Sequence, residues 1–298
     1  MTIVTGQEPY QEDFQPRREA IRQLVRNRKL VIGSVIFLIL VLVPLVAGVM
    51  VDPRLRSTGS FPPRRPPSSE APLGTDSLGR SVFVQMTEAV PNSLQVGLIA
   101  ATLGTLLGAI IGFVSGYFGG IVDVILRILI DVFLSVPSLL FLILIASIVR
   151  GVSVQSMAIV IGLFAWSWPA RQVRAQVLSL KERNFVEIAR LSGMSGLEIV
   201  FRELMPHMIP WLSANFVNAF IAAILAEAGL SILGLGPQSQ MTLGMMIYWS
   251  TINTSSLLQN LWWWWTTPVI TLMLFFLSLY LIHLGLDEIS NPRLRSAA

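Results

Sequence analysis

The chain has 298 residues, 53% of them hydrophobic and only 13% charged, with a formal net charge of +4 and a mean hydropathy of +0.68. A water-soluble domain carries about 25% charged residues, so these proportions exclude an ordinary soluble globule and point to lipid as the solvent. Cysteine is absent and the two histidines, His207 and His283, are far apart in sequence, which excludes disulfides, thiolate chemistry and a histidine ligand pair.

In chain order, residues 1–29 form a polar tail whose end, RREAIRQLVRNRK, is a basic helix stopping at a membrane. The tail is too long and too acidic for a simple cleaved signal, so the apolar run that follows, 30–51, is expected to stay as the first transmembrane helix. A spanning helix needs about 20 apolar residues, and this run has them. A polar loop, 52–92, follows; its PPRRPPSS stretch fits neither a helix interior nor a sheet interior. The remaining residues, 93–287, read as a core of five further spans near 94–118, 121–149, 152–170, 211–233 and 264–286, and 288–298 is a short tail. The expected class is therefore all-α, a polytopic membrane protein with six transmembrane helices.

Several features stand out along these spans. Gly104, Gly108, Gly112 and Gly116 recur every four residues, which places them on one stripe where a second helix can approach closely. Asp123, Arg127 and Asp131 follow at i, i+4 spacing and are expected to pair along one helix face at the start of a span. A proton relay would need more ionisable groups deep in the spans than exist. Glu227 falls near the far end of the fifth span and is expected to anchor the turn after it. The tryptophans 262–265 mark an interface belt before the sixth span.

Between the fourth and fifth spans lies 171–210, a charged segment that includes FVEIARLSGMSGLEIVFRELMPHMIP at 185–210. Of the 21 lysines and arginines, fifteen fall on the side of this segment and of both tails, and six on the side of the 52–92 loop. The richer side is expected to be cytoplasmic. The basic residues behind the isoelectric point near 10.0 thus flank apolar runs rather than forming aromatic-interleaved patches, and no nucleic-acid partner is expected. Lys29 and Lys181 are the only lysines and neither follows a glycine, so no G-x-x-x-x-G-K-[ST] phosphate loop exists. No catalytic or metal constellation stands out.

Glu187, Ala189, Gly193 and Pro206 stand in the register of the EAA loop of prokaryotic ABC-importer permeases; Ile188, Glu203 and Met205 depart from it. PLGTDSLGR at 72–80 resembles a signature that follows the first span of dipeptide and oligopeptide permeases of the C type. QVLSLKERNFVEIARLSG, AEAGLSILGLGPQ and the terminal NPRLR resemble further stretches of the same family, in order over nearly the whole chain. Ser81 and Pro91 replace a usual aspartate and a common arginine.

The resemblance implies a type I ABC-importer permease fold in a prokaryotic inner membrane, both termini cytoplasmic, the chain in contact with membrane lipid. It implies a second, B-type permease chain, two cytoplasmic ATP-binding subunits that hold ATP and Mg, and an extracytoplasmic solute-binding protein. It implies no cofactor and no enzymatic activity in this chain, and a peptide-like cargo, with oligosaccharide, nickel or glutathione as alternatives; the substrate-contacting residues are not identified. The EAA loop, with Glu187, Ala189, Gly193, Gly196 and Pro206, would be the element coupled to the ATPase. Gly193 and Gly196 suit a sharp helix–turn–helix, Glu187 could brace the turn, and Pro206 and Pro210 could set the angle of re-entry. An ion-coupled secondary transporter would need inverted repeats and broken ion-binding helices; a non-transporting assembly factor is a further alternative. Co-purification with an ATPase would separate the importer from both.

Overall fold

The computed structural model describes residues 24–149, 151–252 and 260–290. The described residues are helical with no strand; one isolated bridge pairs Thr75 with Ser81. The first helix, α1 (Arg28–Met50), is apolar throughout and starts where the Asn27 side chain accepts the Leu30 amide at 3.0 Å. A short 3-10 turn, Pro53–Arg56, opens an irregular cap that runs to Ser81.

Helix α2 (Val82–Phe118) has 37 residues. At about 1.5 Å per residue it is about 55 Å long, well beyond the roughly 30 Å of hydrocarbon. It therefore begins at Val82, inside the stretch expected to be loop, rather than near 94. The polar residues that read as loop are used inside the protein: Gln85 and Thr87 are buried, and Gln85 donates to Asp76 of the cap at 3.0 Å.

Two of the expected spans are divided. α3 (Gly120–Ser135) and α4 (Ser138–Ile148) meet at a 75° bend at Val136–Pro137. α5 (Val154–Phe164) and α6 (Ser167–Leu180) meet at Ala165–Trp166, and α6 carries the helix well past residue 170 into the charged segment. Then come α7 (Asn184–Leu191), α8 (Gly196–Ile232), the short α9 (Leu243–Ile252) and α10 (Trp262–Ser290). Four unbroken helices, α1, α2, α8 and α10, are long and apolar enough to cross a membrane, and the bent α3–α4 pair makes a fifth if it is one span.

Helix α2 is the spine. Its glycine stripe lies on the α5–α6 unit. A Cβ added at Gly104, Gly108, Gly112 or Gly116 would sit 2.9, 2.6, 2.6 and 2.9 Å from the Cβ atoms of Ala165, Pro169, Val173 and Val177. The partners thus recur every four residues as well, and two stripes of matching period interlock. With little hydrophobic drive between helices in lipid, this close backbone approach is what holds them.

Helix α1 lies along α10 at the edge of the bundle. Gly33 meets the Ser278 carbonyl and Leu281, Gly285 meets Leu30, and Lys29 pairs with Glu288. Asn27 also donates to Glu288 at 2.9 Å. Of the four tryptophans expected to form an interface belt, Trp264 is fully buried and Trp263 nearly so, its indole N–H donating to the Thr75 carbonyl at 3.1 Å. Only Trp262 and Trp265 keep an exposed face.

Candidate functional site

The charged segment folds at the end of α2 opposite the cap. α7 is amphipathic: Phe185, Val186 and Ala189 face inward, where Val186 is fully buried. They rest on Phe113 of α2, Val173 and Val177 of α6 and Leu204 and Met208 of α8. The helix ends in a Schellman turn, with the Gly193 amide donating to the Arg190 carbonyl at 3.0 Å and the Met194 amide to Ala189 at 3.2 Å. Gly193 has φ +81°, the left-handed conformation that this turn demands and that glycine takes at least cost. The next helix starts at once. Ser195 accepts the Glu198 amide at 3.4 Å, and the Glu198 carboxylate accepts the Ser195 amide at 2.9 Å, a reciprocal capping box.

Gly196 differs from Gly193: it is the first helical residue and serves close approach, since a Cβ there would lie 3.1 Å from the Tyr117 ring. The Arg190 guanidinium sits over the same ring, 5.8 Å from its centre. Residues Ile199–Leu204 form a π turn, with the Met205 amide donating five residues back to Val200. Pro206 follows directly. It lacks an N–H and its ring crowds the preceding turn, and a widened turn accommodates both. Pro206 and Pro210 therefore lie within the continuous helix Gly196–Ile232 rather than at a break. The turn also carries Ile199, Val200 and Leu204 inward. His207 stacks on Phe185 at 4.7 Å, closing the base of the segment.

The outer face is different in kind. Ile188, Leu197 and Phe201 are exposed, and Leu191 is 82% exposed. Glu187 stands among them, exposed and without a side-chain hydrogen bond or ion pair to the described residues. Glu187 does not brace the turn, which backbone bonds and the Ser195–Glu198 box close without it. The result is a knuckle whose outer face carries Ile188, Leu191, Leu197 and Phe201 beside the exposed Glu187 carboxylate.

Residues 104–296 match the family described as binding-protein-dependent transport system inner membrane component. The chain belongs to that family. It is an ABC-importer permease subunit, a multi-pass component of the inner membrane. It is similar to the dipeptide transport system permease protein DppC of Alkalihalophilus pseudofirmus, 30% identical over 283 residues that cover 94% of this chain and 91% of that protein. Two crystal forms of the inward-facing MetNI methionine ABC transporter share the fold, each at a TM-score of 0.54. One is 19% identical, covering 67% of this chain and 91% of its own; the other is 20% identical, covering 68% and 93%.

Elsewhere in the permease, polar groups that sequence reasoning left scattered are brought together. Glu227 is fully buried and accepts from Ser231 and Thr242, each at 2.7 Å, and from Ser93 at 3.1 Å. Ser93 also takes the Leu243 amide at 3.0 Å, so this carboxylate ties α2, α8 and the start of α9 together. It anchors the segment after α8, and α2 as well.

The expected ladder of Asp123, Arg127 and Asp131 forms only in part. Arg127 and Asp131 pair loosely at 3.8 Å, but Asp123 is taken across the helix gap by Arg174 at 2.6 and 2.7 Å, and Asp131 also pairs with Arg171. Arg174 is the better placed partner because its fork reaches the Asp123 carboxylate bidentately, while Arg171 meets Asp131 through one nitrogen.

In the cap, LGTDSLGR is a folded knot. Asp76 is buried and accepts the Leu78 and Arg80 amides at 2.8 and 2.9 Å and the Arg80 guanidinium at 2.7 Å, while Gly74 and Gly79 take positive φ around it. Ser81 caps α2 without a side-chain bond, and Pro91 lies inside α2. Among the described residues no group of three or more His, Asp or Glu is placed to hold a metal ion.

Proposed function

We propose that this chain is one of two permease chains forming the path of a peptide-type ABC importer, and that ATP is hydrolysed in trans by cytoplasmic subunits. One observation supports this reading most: the knuckle of α7 and the start of α8, anchored inward by Val186 and Ala189 and presenting Glu187, Ile188 and Leu191 outward. A surface of that kind fits a cleft on an ATPase, and its stiffness lets closure of an ATPase dimer tilt α8. The peptide class is supported by the likeness to the dipeptide transport permease of Alkalihalophilus pseudofirmus and by the LGTDSLGR knot. In this reading 171–210 and both termini are cytoplasmic, the cap is external, and a binding protein delivers cargo there.

The test is uptake and binding-protein-stimulated ATP hydrolysis in reconstituted vesicles. Glu187→Ala and Gly193→Val should reach the membrane yet lose stimulated hydrolysis and uptake, while the exposed cap variant Ser69→Ala behaves as wild type. Normal coupled uptake in both knuckle variants would refute the coupling role. Accumulation of an oligosaccharide, nickel or glutathione, and not of peptides, would refute the cargo class.

A further inference from the structure

At the level of the two helix breaks, a cavity of about 370 Å³ opens on the surface of the bundle. Its walls are the α3–α4 bend at Val136–Pro137, the α5–α6 break at Ala165–Trp166 and one face of α8. The α8 face carries Asn215 and Asn218 and is otherwise alanine, including Ala222 and Ala226. Asn215 uses its N–H₂ on the Trp211 carbonyl at 3.0 Å. Asn218 is exposed, and its carboxamide has no partner among the described residues.

Two independent observations say that lipid does not fill this cavity. A carboxamide 14 residues from the end of α8 at Ile232, about 21 Å along the axis, lies at a depth where an unpaired polar group in hydrocarbon is costly. Interrupted backbone is likewise tolerated at membrane depth only where it is buried in protein or lines a water-filled space. Two interruptions face this one cavity, and α4 begins there without a side-chain cap.

We propose that this cavity is a cargo-contact station on the translocation path and that Asn218 meets the main-chain amides of a peptide-like cargo. The proposal rests on the peptide-importer reading above. A carboxamide offers a donor and an acceptor side by side, which is the complement of a peptide group. No charged side chain lines the cavity, so a cargo of either sign meets neither a trap nor a barrier. The alanines leave the width free while the breaks give the walls points at which to move.

The experiment uses the whole importer in vesicles, with its partner permease and ATPase chains. The chain has no cysteine of its own, so Asn218→Cys and Ala222→Cys can be probed with a charged methanethiosulfonate reagent and read by the mass of this chain. Both should be modified, and a mixture of two- to five-residue peptides with loaded binding protein and ATP should slow modification several-fold. Met273→Cys on α10 should resist the charged reagent. Asn218→Leu should lower peptide uptake roughly fivefold, about the worth of one neutral hydrogen bond, and Asn218→Gln should restore most of it. Should Asn218→Cys fail to assemble, Ala222→Cys reads the same wall.

Modification only by a lipid-soluble maleimide, or by neither reagent, overturns the proposal in favour of a lipid-facing or subunit-buried surface. Modification that peptides do not slow, in an importer that takes them up, overturns it while the peptide reading stands. Failure of the unsubstituted importer to take up peptides overturns that reading and the cargo class assigned here.

Discussion

Gly112 has room for a hydrogen atom and nothing larger: a Cβ would lie 2.6 Å from the Val173 Cβ and 2.7 Å from the Ala170 carbonyl. Gly108→Leu and Gly112→Leu should each prevent α6 from seating on α2, so that little intact complex is recovered from membranes. Gly229→Ala is the contrast, because the nearest atom to its Cβ would be Leu139 at 3.9 Å, and its yield should be unchanged. Gly193 is constrained for the opposite reason. Nothing lies within 4 Å of its Cβ position, yet φ is +81°, so only backbone strain opposes a side chain. Gly193→Asn should be nearly silent, while Gly193→Val should lower the stability of the turn by about 1–2 kcal/mol, read as faster proteolysis between Lys181 and Arg202. The stripe of Gly104 to Gly116 was legible from its period alone. The partners of Glu227 were not, since Ser93 is 134 residues away in the chain and no local pattern links them. Glu187 is exposed and makes no side-chain bond to the described residues, so it does not act as the brace expected of it. Sequence shows that a carboxylate is near a turn, not whether backbone bonds have already closed it.

At the scale of the element, α7 has two faces with separable duties. Val186→Asp places an unpaired charge against Leu204 and Met208, a cost of several kcal/mol, and should loosen the knuckle so that proteases cut between Lys181 and Arg202. Ile188→Asp changes only the outer face. It should leave the proteolysis pattern of wild type while weakening retention of the ATPase subunits during purification. Identical behaviour of the two variants would mean that the faces are not separate. Long apolar runs made the positions of α1, α10 and the later part of α8 legible; the start of α8 at Gly196 was not, because its charged first turns read as loop. The breaks in the other two spans were less so, because Pro137 in a run can kink a helix, cap it or end it, and tertiary contacts choose among these. The start of α2 was hidden for a different reason: its first turns are polar and buried against the cap, so they read as loop by composition.

At the scale of the molecule, the asymmetry of basic residues sets a testable orientation. Ser57→Cys in the cap should react with an impermeant thiol reagent in intact cells, and Ser179→Cys at the end of α6 should not; the reverse pattern would invert the topology. The bundle as a whole is closed by its two ends, because α1 rests on α10 through Gly33 and Gly285 and is pinned by Lys29 and Asn27 to Glu288. α1 is little buried, and much of what it touches is α10, which is made long after it. During synthesis, then, α1 must wait in lipid for α10, with Gly33 uncovered. A chain stopped before Trp262 should keep α1 in the membrane but leave it undocked, a mark by which membrane proteases can tell unfinished copies from finished ones. Pulse-labelled truncations ending near residue 252 should accordingly turn over several-fold faster than those ending after Glu288.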